Sequence, residues 1–398
     1  MTTEGELTVR LAWDGQRVRD VAVTSSRPFA IGRLLTGRAP GEALSLVPRL
    51  YSLCAEAQGA AAFRALEAAG FGAPDPGCTT FLETRVLLEV VQEHVWRLLL
   101  DWPAAMGHAG LPQVVATARR AIGGELTRLD AEGQRTAAAA PSAERMGPRT
   151  IERVARLGTD LAALLEQHVF GIDVEAWLAL PDATALAQWM TETRTLPATL
   201  LGELHARYPG LGRSDVALMP TSAADALRAA IVPSLRANMN FVRVPEWRGV
   251  PIETGPLSRW QTHPLIAALR ARDGDTAATR MTARLVDLAI RIGSLRGSTE
   301  AGNASRMASG ITLEPGEGLG IAETARGLLL HRARIAAGRI AAWDIVAPTE
   351  WNFHPRGALA RGLSGITSTD RAAITRIARI AVQALDPCVG CRIEVTDA

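Results

Sequence analysis

Lysine is absent from this 398-residue chain: all 43 residues of the Lys+Arg class are arginine. With Ala and Gly so abundant, that is a bias of genome composition rather than a functional signal. An excess of charge of either sign is also missing. A net charge of +2 gives no broad field for nucleic acid or an anionic membrane, so neither is expected as a partner. Long apolar runs are missing too. The longest candidate for a membrane span, residues 81–100, is interrupted by Glu83, Arg85, Glu89, Glu93 and Arg97. Residues 1–15 are polar and strand-like, without the basic start and apolar core of a secretory signal, so the expected location is the cytoplasm. Cysteine is scarce: Cys54, Cys78, Cys388 and Cys391 are too few for a disulfide framework in a chain of this length. None of the seven histidines stands in HxxxH or HxH spacing, which removes the usual histidine pair for a metal.

What is there is ordinary globular composition, 47% hydrophobic and 21% charged, enough chain for one large or two medium domains. Leu7, Val9, Leu11 and Trp13 alternate with polar residues. Asp14-Gly15 follows, then Val18, Val21 and Val23, which predicts a β-hairpin. Apolar spacings of three and four predict a helix over 41–69, with Cys54 and Gln58 one turn apart on it. After a Gly/Pro break at 70–77, Thr80 and Glu83 read as a capping box opening a long helix over 80–101, with Pro103 beyond its end. The Ala/Pro stretch 136–148 reads as a surface loop. Helices are expected over 151–170, 182–193 and 265–293. Loops and short strands with one helix are expected over 209–262, and a Gly/Ser-rich segment over 294–320. Residues 328–346 have strand character, with a turn at Ala337-Gly338. A last helix, capped by Ser368 or Thr369, runs through Ile374, Ile377, Ala381 and Leu385 to Asp386-Pro387. No internal repeat is visible. The expected fold class is α+β, mostly α, with small sheets near both chain ends.

Cys388 and Cys391 form a CxxC at a helix boundary, close enough to share one metal. From spacing alone, plainer readings stay open. One is half a zinc site, although no second CxxC or His pair completes it. Another is a redox pair, although this CxxC follows a helix rather than opening one. A third is an inert pair near a chain end. Cys54, on an apolar helix face, reads as a small core residue, and Cys78 as unconnected. Arg326 and Thr349 carry no signal alone.

In order, the segments give a different picture. After the hairpin come Arg33-Leu34-Leu35-Thr36-Gly37-Arg38-Ala39-Pro40 and Arg49-Leu50-Tyr51-Ser52-Leu53-Cys54. A long helix ending Leu100-Asp101-Trp102 follows. Then come Gly320-Ile321-Ala322-Glu323-Thr324-Ala325-Arg326-Gly327, Pro348-Thr349-Glu350-Trp351-Asn352 and Asp386-Pro387-Cys388-Val389-Gly390-Cys391. Along nearly the whole chain this resembles the large subunit of NiFe-hydrogenases, with its RGFE, GRxP, RxCGxC, EAPRG, P(S/T)TWN and DPCxxC segments. The resemblance implies one large-subunit-like domain over 1–398, built round a central helical bundle. Its parts would be 1–104 with the hairpin and the Cys54 helix, a variable helical middle over 105–315, and 316–398 with a sheet, a helix and the CxxC.

The family's four cysteines hold nickel and iron, two of them bridging both metals. By position, the resemblance implies Cys54 and Cys391 as the iron ligands and Cys388 as a nickel-only ligand, and it puts Tyr51 in the place of the other nickel-only cysteine. The family's iron carries one CO and two cyanides. Arg326 and Thr349 fall on the positions that bond the cyanides, whose buried charge needs donors. The implied cofactor-binding residues are therefore Arg326, Thr349 and Cys388. The family's proton-relay glutamate aligns with Gly32. The histidine where its maturation protease cuts aligns with Glu394, with no cleavable tail after it. Nickel binding and hydrogenase activity are thus not expected, and no catalytic residue is implied. The pattern is similar to the HupK/HoxV assembly proteins. The implied function is a non-catalytic scaffold or carrier for a transiently bound Fe(CN)2(CO) unit in hydrogenase maturation. The implied partners are HypC/HypD-like chaperones and the hydrogenase large-subunit precursor. Competing functions are an active or H2-sensing hydrogenase, a zinc or redox protein using Cys388 and Cys391 alone, and a metal-free interaction protein that mimics the large subunit.

Overall fold

The computed structural model describes residues 5–28, 31–51, 53–72, 76–137, 146–220, 224–297 and 306–398. Strands β1 (Glu6–Trp13) and β2 (Val18–Ser25) pair antiparallel, with Val9 opposite Val23, and bury Leu7, Val9 and Leu11. The expected hairpin is present, but its turn is wider than two residues. Asp14 Oδ1 accepts the N–H groups of Gln16 (2.9 Å) and Arg17 (2.7 Å), and of the Asp14-Gly15 pair only Gly15 has positive φ.

The helix expected over 41–69 is three pieces. An α-helix (Pro40–Leu46) tightens into a 3-10 turn (Val47–Leu50) at Pro48, the chain extends at Tyr51, and α1 (Ala55–Ala68) starts afresh. Proline lacks the N–H that would continue the ladder. Cys54 is therefore the N-cap of α1, at φ −142° and ψ 40°, not a residue on its face. Its thiol makes no capping bond; Glu89 caps instead, accepting from Glu56 N at 2.8 Å and Ala57 N at 3.1 Å.

Glu89 lies on α2 (Pro76–Trp96), which begins four residues before the expected cap. Thr80 is inside the helix, where its carbonyl accepts from Thr84 Oγ1, so there is no capping box there. Proline at the first position suits a helix start. The helix widens into a π-turn (Arg97–Asp101) and continues as Trp102–Met106, with Pro103 in that first turn rather than beyond the end. Long helices at Pro112–Ala137 and Leu196–Arg207 had no counterpart in the sequence reading. The loop at 136–148 falls mostly on 138–145, outside the described residues. Helix α3 (Pro148–Leu165) runs into a π-turn (Glu166–Phe170), and Asp182 caps Ala183–Glu192, both near the expected bounds. Two short strands (Ala217–Leu218, Ile252–Glu253) and a helix (Ala224–Ala237) occupy the loop-rich segment.

The helix expected over 265–293 breaks at Gly274 (φ 76°) into Pro264–Asp273 and α4 (Ala277–Arg296), the latter capped by Thr276. Helix α4 is buried along most of its length and packs against α2 and α3, which makes it the centre of the bundle. A consecutive antiparallel sheet follows: β3 (Ala308–Glu314), β4 (Glu317–Thr324), β5 (Gly327–Ala336) and β6 (Arg339–Val346). Strands β3 and β4 lie where the sequence suggested only Gly/Ser-rich chain. Their glycines let α1 approach: a Cβ on Gly320 would sit 1.9 Å from Ala61 O, and one on Gly318 2.2 Å from Ala65 O. Ala337 (φ 49°) and Gly338 (φ 72°) form the expected turn, both left-handed.

Helix α5 (Arg371–Leu385) is capped by Asp370, whose Oδ1 accepts Ala372 N at 2.8 Å, rather than by Ser368 or Thr369. Then β7 (Gly390–Asp397) pairs parallel to β1, with Cys391 opposite Leu7, giving a sheet of order β2-β1-β7. With 56% of the described residues helical, the class is α+β and mostly α, as expected. Among the described residues no helix is long and apolar enough to cross a membrane.

Candidate metal centre

Five segments distant in sequence meet at the cysteines: the turn before α1, the middle of α2, the β4–β5 turn, a short helix (Pro348–Asn352), and residues 386–391 after α5. The β4–β5 turn is fixed by Thr324 Oγ1, which accepts from Arg326 N at 3.0 Å. Asn352 joins it to the short helix, donating from Nδ2 to Arg326 O at 3.2 Å.

Asp386 takes a left-handed conformation (φ 55°) at the end of α5 and is buried. Its oxygens face Arg97 Nε and Arg284 Nη1 at 2.7 Å each, and Arg326 Nε at 3.3 Å. Burial alone would raise its carboxyl, but Arg326, Arg97 and Arg284 hold it well below the usual range. Arg326 completes its pairing with Glu93 Oε2 at 2.6 Å. Arg97 also donates to Pro387 O at 3.2 Å, which anchors the start of the CxxC turn.

Above this network stand the sulfurs. Thr349 Oγ1 donates to Cys388 Sγ at 3.0 Å and accepts from Cys388 N at 3.2 Å. Cys54 Sγ accepts from Gln58 Nε2 at 3.6 Å, and Gln58 Oε1 lies 2.7 Å from His331 Nε2. Burial lowers His331 to about 3, so the ring is neutral and Nε2–H orients the Gln58 amide toward the sulfur. Burial, then the Glu89 carboxylate, then Cys388 push the Cys54 thiol far up; Arg326 pulls the other way. Glu89 itself is pushed up to about 8, first by burial. Cys391 is raised to about 11 by burial and by Glu6.

Two cavities flank the site. One, of about 490 Å³, is lined by Cys54, Cys388, Tyr51, Arg27 and Glu350. The other, of about 640 Å³, is lined by Cys388, Cys391, Glu89, Glu93 and Arg97. Leu53, Cys388 and Val389 belong to both walls. Cys54, Cys388, Arg326 and Thr349 are one neighbourhood by hydrogen bond and electrostatic coupling, although Arg326 and Thr349 line neither cavity; of these cysteines Cys54 lines only the first, Cys391 only the second and Cys388 both. Cys54, Cys388 and Cys391 do not all lie within 4.8 Å of one another. Cys78 is buried on α2.

Sequence reasoning missed Glu89, Glu93, Asp386, Arg27 and Glu350. Asp386 and Glu350 sit inside the quoted motifs. Glu89 and Glu93 registered only as charges breaking an apolar run, although acids one turn apart on a buried face are a signal. Arg27, one arginine among many, carried none.

Comparison with known proteins bears on the fold and the family. A family model described as nickel-dependent hydrogenase matches residues 266–394. The backbone is similar to the solved Ni-Fe-Se hydrogenase from D. vulgaris Hildenborough in its as-isolated oxidized state, with TM-score 0.61 and 15% identity, covering 95% of this chain and 94% of that one. The chain is 30% identical to the hydrogenase expression/formation protein HupK of Rhizobium leguminosarum bv. viciae, over 95% of this chain and 93% of the relative. It is 31% identical to the hydrogenase expression/formation protein HoxV of Cupriavidus necator, over 100% of this chain and 98% of the relative. On the hydrogenase large-subunit fold, then, and at that likeness over its full length, the chain belongs to the HoxV/HupK family of hydrogenase expression/formation proteins.

Proposed function

We propose that this protein is a non-catalytic carrier that holds an Fe(CN)2(CO) unit as cargo during NiFe-hydrogenase maturation, between its loading and its delivery to the large-subunit precursor. One observation carries the reading: Cys54, Cys388, Arg326 and Thr349 share one site although they span more than 300 residues of sequence. The donor set fits such cargo. Thiolate sulfurs suit low-spin iron, and a buried guanidinium and a hydroxyl suit cyanide nitrogens. Tyr51 in place of a thiolate, and Gly32 packed against Trp343 O, leave no proton-relay carboxylate or full nickel set at the positions a hydrogenase uses. HypC/HypD-like chaperones are the proposed donors of the unit.

By the family pattern, Cys54 and Cys391 are the iron ligands and Cys388 their neighbour. A second reading, Cys54 with Cys388, is favoured by the cavity these two share. Infrared spectra of anaerobically purified protein test both. CN and CO bands are expected in the wild type and lost in C54S and in C391S, with C388S retaining them. Loss in C388S but not in C391S selects the second pair. No bands in any protein from a hydrogenase-maturing cell would sink the carrier reading in favour of a metal-free docking protein.

A further inference from the structure

The cavity between Cys54 and Cys388 contains a cation that belongs to the protein. Arg27 Nη1 lies 2.5 Å from Glu350 Oε1, and both side chains are almost wholly buried, 12% and 4% exposed. Glu350 is positioned by the Pro348–Asn352 helix, one residue after the Thr349 that bonds Cys388. Its Oε2 is buried without a hydrogen-bond partner among the described residues. Arg27 lies two residues past the end of β2, and its guanidinium acts electrostatically on Cys388, Tyr51 and Cys54 as well as on Glu350. Tyr51 is the residue in the nickel-only cysteine position, and burial keeps its phenol neutral.

We infer that the Arg27–Glu350 ion pair occupies the place of a second metal and restricts this centre to one. The inference rests on the carrier reading for the identity of the first metal, but not for its test. A guanidinium stays charged at every accessible pH. Lining the same cavity as both sulfurs, it places a fixed positive charge where a second metal would bring one, and it opposes any divalent ion seeking the same thiolates. It also occupies Glu350, a hard ligand on the same cavity wall. With Tyr51 neutral, an ion entering this cavity finds two thiols, carboxylates already paired (Glu350 with Arg27, Asp344 with Arg332) and a fixed opposing charge. Selectivity for one metal is thus built from the protein's own charge rather than only from a missing ligand.

The test is anaerobic equilibrium dialysis of the reduced full-length protein against Ni2+ or Zn2+ alone, with metal analysis. Wild type is expected to retain no more metal than C54S/C388S. R27M, in which Glu350 is released beside the two thiols, is expected to retain one equivalent at least tenfold more tightly. That metal is lost again in R27M/C388S. R27K, which keeps the charge, should behave as wild type. R27M/E350Q removes both charges and carries the comparison if R27M does not fold. Stoichiometric nickel in wild type that C388S abolishes overturns the inference, as does a folded R27M or R27M/E350Q that takes up nothing. Iron and its infrared bands are read separately. Missing bands with normal metal exclusion would defeat the carrier reading and leave this one standing.

Discussion

Glu89 sits beneath the first turn of α1, accepting two backbone N–H groups while burial raises its carboxyl to about 8. It does the capping that Cys54, at the N-cap position, does not, and so leaves the thiol free for a ligand. E89A is expected to cost roughly 1–3 kcal/mol, the range for orphaned buried donors, read as a lower urea midpoint. The sign of its pH dependence follows from the raised value. Between about 4.5 and 8 the folded chain keeps a proton that the unfolded chain has lost, so stability falls as pH rises through that window. E89A should lose this contribution; an unchanged slope from pH 5 to 8 would place its source elsewhere. Arg326 uses its planar fork on Glu93 and Asp386 at once. Lysine cannot, so R326K should lower the melting temperature and shorten iron retention in a dialysis time course. At this scale the sequence was legible where a motif named the residue: Thr349 bonds Cys388 and Arg326 acts on it electrostatically, although neither Arg326 nor Thr349 lines a cavity beside the cysteines. It was illegible for Arg27 and Glu89, whose roles come from partners that only the fold supplies.

The seam between α1 and the β3–β4 hairpin is made of atoms too small to attract notice in a sequence. Ala61, Ala65 and Ala68 of the helix, with the Arg64 carbonyl, meet glycines 310, 318 and 320 of the sheet. The backbones touch, and α1 positions Cys54. G320A puts a methyl group into Ala61 O, so α1 must shift. A loss of at least roughly 1–3 kcal/mol is expected from overpacking. The specific signature is lost iron retention even where the protein still melts cooperatively; G320A with normal retention would show that Cys54 tolerates movement of its helix. The same glycines explain why β3 and β4 escaped detection. A strand that packs through glycine lacks the β-branched alternation that marks strands, and a Gly/Ser-rich run reads as loop. The hairpin β1–β2 and the turn at Ala337-Gly338 were legible because their information is local. The break before α1 was not, since the three-and-four spacing continues through Pro48 while the backbone does not.

On the scale of the whole molecule, Asp386 is a knot. Arginines from the π-turn after α2, from α4 and from the β4–β5 turn converge on one carboxylate at the end of α5. D386N would remove the charge that three buried guanidinium groups share: Arg326 keeps Glu93 and Arg97 keeps Asp101, while Arg284 loses its carboxylate. About 3–5 kcal/mol is expected, as for other broken buried pairs, measured by denaturant titration at pH 7. Because the carboxyl is held well below its ordinary 3.8, its contribution is present above that value and fades as pH falls through the depressed one. D386N should therefore show a shallower acid limb; an identical limb would assign acid unfolding to other carboxylates. No local pattern announces such a knot, because its members lie up to 289 positions apart.

The parallel pairing of β1 with β7 sets a timetable. Strand β1 leaves the ribosome early with one edge paired to β2 and the other bare, and its partner, 390–397, is made more than 370 residues later. At about 5–20 residues per second, that is roughly 20–80 s of synthesis. During it the Cys54 half of the centre can fold while the Cys388–Cys391 half does not yet exist. A nascent chain thus lacks the Cys388 and Cys391 thiols throughout that interval, and an exposed strand edge of that lifetime is a natural foothold for a general chaperone.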